Sequence, residues 1–375
     1  DHRWKNNTKI LTENLETYSS NVKNNILEAV EWLNEWPCSR TYGLGTKMPN
    51  DETLLIDSLS DSTIYMAYYT ISYLLQGNLD GSELGPYNIR ASMLNDSVWD
   101  SIFMDNKKII ENYYVDSTKI MNLKHEYMYW YPVDLRVSGK DLINNHLTMS
   151  LYNHNEILGA NKVPKSYFVN GHLQLNGDKM SKSTGNFLTL EDSINKYSAD
   201  VTRLVLGIAG DDTNDANFNE SEANAMVLKI HGLIEWYENM LTKKLVIRKK
   251  FNYFDNVFSY SINSIVNKTL DAFKNMRFRE GIIQAFFELQ NVRDKYMNYC
   301  NEANQVIIYK YMELQLKLLA PIIPHVTQHL WNNFSDVPLM IQGFPQYMEE
   351  NDMYVESFNY MEDLLNSIRK LQNKK

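Results

Sequence analysis

The sequence predicts an α/β protein in which a parallel-sheet region is followed by an all-helical bundle. Three observations carry that prediction. Over residues 1–218, strand-like runs alternate with helix-like runs, the pattern of a parallel sheet with crossover helices. Beyond residue 218 the strand signals stop, and residues 223–241, 260–276, 279–299 and 307–319 all carry apolar side chains at helical spacing. The chain has 375 residues, more than a single hydrophobic core supports, so two domains are expected, 1–218 and 219–375.

Taken in order, Val22, Ile26, Val30 and Leu33 form one helical stripe, so a helix is predicted over 21–36, ending at Pro37. Gly43, Gly45 and Pro49 mark a tight loop over 38–49, followed by a short strand over 54–59. Asp61 is read as the cap of a helix that carries Ile64, Tyr65, Tyr68 and Ile71 on one side. Residues 77–125 mix Gly, Pro and Asn with charged residues and are read as an insertion of modest structure. A strand is predicted over 129–137, a turn at Gly139-Lys140-Asp141, a helix over 142–158 and a further strand over 167–175. A glycine-flanked loop then spans 177–185, and Thr189 with Asp192 three residues on gives a capping-box signal for the next helix. In the helical half, Pro321 and Pro324 bracket a break before a helix over 325–334, and the last twenty residues read as an amphipathic helix.

Composition narrows the functional classes. Hydrophobic residues at 44% and charged residues at 22%, with 25 Tyr and 14 Phe, argue for packed cores rather than disorder. The two cysteines, Cys38 and Cys300, are far apart and lack clustered histidines, which supports neither a disulfide framework nor a zinc site and fits a reducing, cytoplasmic setting. No apolar run approaches the roughly eighteen residues of a membrane span, and the opening residues match no targeting signal. The first residue is Asp, so the natural N-terminus is expected to lie upstream. A net charge of -9 weighs against generic polyanion binding, but basic clusters at Lys243-Lys244, Arg248-Lys249-Lys250 and from Arg369-Lys370 to Lys374-Lys375 leave local phosphate contacts open.

The most specific chemistry lies in Lys179-Met180-Ser181-Lys182-Ser183-Thr184-Gly185-Asn186, which follows a strand and precedes a capped helix. Two lysines among small hydroxyl residues can close over a polyphosphate. The ammonium groups neutralise charge, and hydroxyl and backbone N–H groups donate to the remaining oxygens. The bland alternative is an exposed basic loop. A second element, Gly139-Lys140-Asp141-Leu142-Ile143-Asn144-Asn145-His146, is a strand-to-helix turn at which a nucleotide can approach the backbone. Asp141 would accept from ribose hydroxyls there, and His146 would face the same cleft; alone, such a segment is more often a capped turn with a structural histidine.

The lysine string resembles the second signature of class I aminoacyl-tRNA synthetases, and Gly139 to His146 is similar to the ribose motif of their methionyl and leucyl members. Three further segments resemble the cytosolic, eukaryote-like leucyl-tRNA synthetases: Trp36 to Thr46, Leu59 to Ala67, and Trp130 to Gly139. The resemblance extends over about residues 24–345. It implies a Rossmann-like catalytic subdomain and an anticodon-binding-type helical bundle, together acting as part of a leucine-tRNA ligase that uses ATP with substrate-bound Mg²⁺ to join leucine to tRNA(Leu). It further implies Lys182 as principal charge stabiliser for departing pyrophosphate, assisted by Lys179. Met180, Ser181 and Ser183 complete the implied ATP loop with Gly139, Asp141 and His146, and Leu59, Ser62 and Tyr65 line the implied leucine pocket, with His146 near it. Any one of Tyr65, Tyr68 and Tyr69 could equally be a core ring. Leu318-Leu319-Ala320-Pro321-Ile322-Ile323-Pro324-His325 resembles a helix junction of the family's helical domain, with His325 a cap or a satisfied core group. Such a domain is expected to grip tRNA shape and backbone rather than read the anticodon.

The sequence also departs from the family. It contains no His-x-Gly-His signature, which supplies the other half of the ATP site; His172 after Gly171 is not that motif. A recognisable editing domain and the usual C-terminal extension are likewise missing, so the chain is read as a C-terminal fragment or a split or degenerate gene, inactive by itself. Synthetases for methionine, valine or isoleucine are the rivals within the class, and the Leu59-to-Ala67 segment argues against them. A truncated paralogue that binds tRNA or a protein without catalysis is the rival from another class, and it predicts decay of the lysine loop, which is intact.

Overall fold

The computed structural model describes residues 1–104 and 114–372. The chain packs as two compact units, Asp1–Gly171 and His172–Lys375. The division falls before the lysine loop, whereas the last strand of the α/β pattern ends at Phe218.

The first unit opens with α1 (His2–Asn14) and α2 (Ser20–Trp32). The predicted stripe of Val22, Ile26, Val30 and Leu33 is buried against Leu147, Leu151, Tyr167 and Val169. The helix stops at Trp32, ahead of Pro37, because the backbone turns extended at Leu33. Residues β1 (Ser39–Arg40), β2 (Lys47–Met48) and β3 (Asp51–Ile56) form a small antiparallel sheet in the order β1-β3-β2. The strand predicted over 54–59 therefore belongs to a hairpin and not to the parallel sheet.

The helix expected after Asp61 is interrupted. It runs as α3 (Ser58–Asp61), α4 (Tyr65–Tyr69) and α5 (Ser72–Leu75), and Asp57, not Asp61, caps the first turn by accepting from Leu59 N at 3.0 Å. The region read as a loose insertion contains α6 (Asp96–Phe103) and the start of α7 (Ser117–Trp130); residues 105–113 of that reading lie outside the described residues. The strand predicted over 129–137 is corrected by the same helix. Ile120, Leu123 and Tyr127 bury one face of α7, so burial overrides the strand preference of the Tyr-rich run. Pro132 then disfavours helix at Tyr131.

The parallel element of this unit is β4 (Arg136–Gly139) beside β5 (Tyr167–Asn170), in register from Arg136↔Tyr167 to Gly139↔Asn170. Between them the chain runs through a π-helical turn at Ile143–Leu147, then α8 (Thr148–Asn153), then a second π turn at His154–Leu158. The predicted strand-turn-helix-strand order holds, with a 3-10 turn at Lys140–Leu142 and a wider π turn on each side of α8. The single strand predicted over 167–175 is two, because β6 (Leu173–Leu175) belongs to a different sheet from β5.

In the second unit β6 pairs antiparallel with β7 (Asp178–Lys179) and parallel with β8 (Ala216–Phe218). Two helices, α9 (Leu190–Tyr197) and α10 (Ala199–Ala209), connect them. Half of the predicted capping box forms: Thr189 Oγ1 accepts from Asp192 N at 3.0 Å, but the Asp192 carboxylate accepts from that hydroxyl, at 2.6 Å, in place of the Thr189 backbone N–H. After β8 the regular elements of the described residues are helices, α11 (Glu220–Thr242), α12 (Tyr253–Lys274), α13 (Phe278–Ile282), α14 (Leu289–Tyr299), α15 (Gln305–Leu319), α16 (Pro324–Trp331) and α17 (Asp352–Gln372), joined by short 3-10 and π turns and irregular loops. One continuous core joins Leu175, Val201, Leu204 and Phe218 to Tyr237, Phe258, Phe286, Tyr311 and Leu319, so the small sheet and the bundle share it. Among the described residues no helix is long and apolar enough to cross a membrane.

Candidate functional site

The lysine loop begins with a hairpin. Asn176 and Gly177 take positive φ (53° and 89°), as the two central residues of a tight β-hairpin turn require, and Asn and Gly are the residues that tolerate it. Gly177 N donates to Asn217 Oδ1 at 2.7 Å, and Asn176 N donates to Phe218 O at 3.0 Å, which ties the turn to β8. Glu220 closes the arrangement: Asn176 Nδ2 donates to its carboxylate at 3.0 Å, and Glu220 N donates back to Asn176 Oδ1 at 3.0 Å. Lys196 Nζ and Tyr197 OH donate to the same carboxylate at 2.6 and 2.9 Å. These donors, Lys196 first, pull its pKa down to about 2.

Beyond the hairpin, Met180 is partly buried against the core while Lys179 and Lys182 on either side are exposed. Neither lysine has an ion-pair partner among the described residues. The short 3-10 turn Lys182–Thr184 is closed by Gly185 in the left-handed conformation, φ 72°. Ser181 N donates to Asn186 O at 2.9 Å, the Ser181 and Ser183 hydroxyls are 2.8 Å apart, and Thr184 Oγ1 donates to Ser181 O at 3.1 Å. An apolar anchor and these hydrogen bonds thus hold the loop while its two ammonium groups and Ser183 stand exposed. That is the form a phosphate-neutralising loop needs before its ligand arrives.

In the first unit, Gly139 ends β4 with φ -87°, so no positive φ requires glycine there. A Cβ at this position would come within 2.6 Å of Asp141 Oδ1, so a larger residue would turn that exposed carboxylate away from the strand end. Asp141 is exposed at the start of the following turn. His146 is buried, only 4% exposed, and its ring is held from both sides. Nε2 is 3.1 Å from Ser62 O and Nδ1 is 3.3 Å from Arg136 Nη2. A carbonyl only accepts, so Nε2 carries the hydrogen and Nδ1 accepts from the guanidinium. Burial, with the Arg136 charge beside it, lowers the pKa of His146 and keeps the ring neutral. The Arg136 guanidinium carbon also lies 5.8 Å from the centre of the Tyr65 ring. The structure therefore brings Ser62, Tyr65 and His146 together around Arg136, and α3, which carries Leu59, packs on the π turn that carries His146. Gly139, Asp141 and His146 belong to the first unit and Lys179 to Ser183 to the second.

Sequence reasoning gave no role to Arg136, Asn176 or Glu220. The Asn-Gly dipeptide is a recognised hairpin signal that could have found Asn176. Nothing local marks Arg136 or Glu220, whose partners lie 10 and 44 residues away. Of the basic clusters, Arg248 is structural: Nε and Nη2 donate to Asp255 at 3.1 and 2.9 Å. Lys374 and Lys375 lie outside the described residues. His325 is corrected from a cap or core group to an exposed partner of the cap, which is the buried Asp200. Its Nδ1 is 2.9 Å from Asp200 Oδ1, and Asp200 Oδ2 accepts from Val326 N at 2.7 Å, capping α16. Arg203 donates to Ile322 O and Pro321 O at 2.8 and 2.7 Å.

An exposed lysine loop after a strand, a Gly-x-Asp turn on a parallel β-α-β element and a helical bundle are the parts of a class I aminoacyl-tRNA synthetase. Residues 111–244 match the family model described as tRNA synthetases class I (M), and residues 255–375 match the anticodon-binding domain of tRNA ligase. Over 99% of its length the chain is 41% identical to "Leucine--tRNA ligase, cytoplasmic" of Dictyostelium discoideum, covering 35% of that protein. It is 40% identical to the protein of the same name from Pongo abelii and 37% to that of Saccharomyces cerevisiae, each over 98% of the chain, covering 32% and 34% of them. The chain belongs to the leucyl-tRNA synthetase family, and it spans about a third of the length of these curated relatives. Two solved structures share its fold. One is the Agrobacterium radiobacter K84 LeuRS in a ternary complex with tRNA and LeuAMS, with TM-score 0.57 and 16% identity, covering 84% of this chain and 38% of that one. The other is Mycobacterium tuberculosis methionyl-tRNA synthetase with methionyl-adenylate, with TM-score 0.59 and 14% identity, covering 88% and 61%.

Proposed function

We propose that this chain is the part of a cytoplasmic leucine-tRNA ligase that carries the mobile half of the ATP site, the leucine pocket and a helical tRNA-binding domain. The observation that carries the reading is the lysine loop, in which Lys179 and Lys182 stand exposed and without ion-pair partners among the described residues, on either side of the partly buried Met180. Leucine attacks the α-phosphate of ATP through its carboxylate and pyrophosphate departs. Lys182, with Lys179 assisting, neutralises the charge that grows on the leaving oxygens, and Ser181, Ser183 and the backbone around Met180 donate to the rest. Gly139 and Asp141 take the ribose, with His146 supporting the same turn. Leu59, Ser62 and Tyr65 bound the leucine side chain. Mg²⁺ belongs to this reading as part of the nucleotide substrate, carried on its phosphates. Residues 1–218 serve catalysis and residues 219–375 hold the shape and backbone of tRNA(Leu). The relatives named cytoplasmic leucine--tRNA ligase support both the substrate and the compartment.

The test is ATP–pyrophosphate exchange with leucine, isoleucine, valine and methionine in parallel, on this chain and on the complete protein. Exchange by the complete protein with leucine alone is expected. The 375-residue chain, which lacks the His-x-Gly-His signature, is expected to be silent until the missing half is supplied. Exchange driven by methionine, or none by the complete protein, would overturn the reading; tRNA binding without exchange would favour a non-catalytic paralogue.

A further inference from the structure

Arg136 is a cation without an anion. It is half-buried, no carboxylate lies within ion-pair distance among the described residues, and its buried Nε has no hydrogen-bond partner. Its remaining contacts are all with neutral groups: Nη2 with His146 Nδ1 at 3.3 Å, Nη1 with Met66 Sδ at 3.9 Å, and the guanidinium carbon 5.8 Å from the Tyr65 ring centre. A half-buried charge without a counter-ion is costly, and an apolar side chain would pack a strand position such as this more cheaply. What the guanidinium does that an apolar chain cannot is donate. The chain of donors runs one way, from Arg136 to His146 Nδ1 and from His146 Nε2 to the carbonyl of Ser62, which closes the turn between α3 and α4. Without the first donor, the imidazole is free to exchange tautomers or flip, and the second hydrogen bond is lost with it.

We propose that Arg136 is a positioning residue for amino-acid selection: it locks His146 in the Nε2–H form, and through His146 and the Tyr65 ring it fixes the Ser62–Tyr65 turn against which the substrate side chain is measured. This rests on the leucine pocket proposed above. It makes no direct contact with substrate a requirement, and it separates binding from chemistry.

The test uses the complete protein, with exchange measured against leucine and isoleucine. Arg136→Met is expected to raise the leucine KM about tenfold with little change in kcat, and to narrow the leucine-to-isoleucine ratio, as when a pocket wall loosens. His146→Asn should match it, and the double variant should be no worse than the poorer single one, because the two act in series. Arg136→Lys should recover most of the loss, since an ammonium can still donate to Nδ1, and His146→Asn reads the KM-against-kcat split if Arg136→Met fails to fold. Additive losses, a fall in kcat at constant KM, or an Arg136→Lys variant as poor as Arg136→Met would overturn the proposal. A wild-type protein inactive with leucine would instead defeat the functional reading, and this proposal with it; an active wild type with unaltered variants defeats this proposal alone.

Discussion

Asn176 and Glu220 exchange two hydrogen bonds of 3.0 Å, side chain to carboxylate and backbone N–H to side-chain carbonyl. The first residue turns the hairpin that leads into the lysine loop, and the second opens α11. The start of the helical bundle therefore holds the root of the loop, while Met180 anchors its middle in the core. Asn176→Ala removes these bonds and places a Cβ-bearing residue of low left-handed preference at φ 53°, so a loss on the order of 1–2 kcal/mol is expected in urea unfolding. Asn176→Gly should lose less, because it keeps the backbone; equal losses would mean that the turn conformation contributes nothing.

The same carboxylate sets a pH dependence. The Glu220 pKa is lowered from 4.5 to about 2, so its stabilisation is present above about 4.5 and is lost as pH falls through the folded value. Glu220→Gln should flatten the acid limb of the unfolding curve between those limits. An unchanged limb would show that the carboxylate's partners do not act in solution.

Lys182 is expected to act on rate rather than on stability, since its side chain is exposed and unpaired. Lys182→Ala in the complete protein should slow leucyl-adenylate formation about a hundredfold or more while leaving the unfolding midpoint in place. Lys179→Ala should cost less. Single-turnover adenylate formation measures both, and an undiminished rate would remove Lys182 from the assigned role.

His154 gives the first unit an acid weakness. It is fully buried, Nδ1 donates to Ser150 O at 2.9 Å, and Nε2 accepts from Tyr131 OH at 3.1 Å. Burial lowers its pKa to about 4 from 6.5. The unfolded chain therefore takes up the proton first, and stability falls as pH drops from about 6.5 toward 4, by on the order of 3 kcal/mol. Denaturant unfolding at stepped pH should show this slope, and His154→Asn should remove it.

In the bundle, Asp255 is fully buried and accepts from Arg248, Asn252 N and Tyr296 OH, the last at 2.6 Å. Burial alone would raise its pKa, but these donors outweigh it and the net shift is downward. Asp255→Ala leaves Arg248 without its anion and should destabilise the second unit by about 3–5 kcal/mol in urea. A loss under about 1 kcal/mol would mean that water replaces the pair readily.

The sequence by itself determined the order of elements, the helical second half and the residue types of the lysine loop, because each depends on local spacing. The stripe from Val22 to Leu33, the Thr189–Asp192 cap and the run of helices after Phe218 are all written within a few residues of chain. It misjudged residues 129–137, where strand propensity competes with a buried helical face, and 167–175, where one apolar run serves two sheets. Burial and pairing decide such cases, and neither is local. Only the tertiary structure decided that the Asp141 carboxylate lies against Gly139, that Arg136 has no carboxylate partner among the described residues, and that His146 points one nitrogen at Ser62 and the other at Arg136. A hydrogen-bond direction depends on which groups the fold brings together, as it brings His146 and Ser62 to 3.1 Å across 84 residues, and no spacing along the chain encodes that.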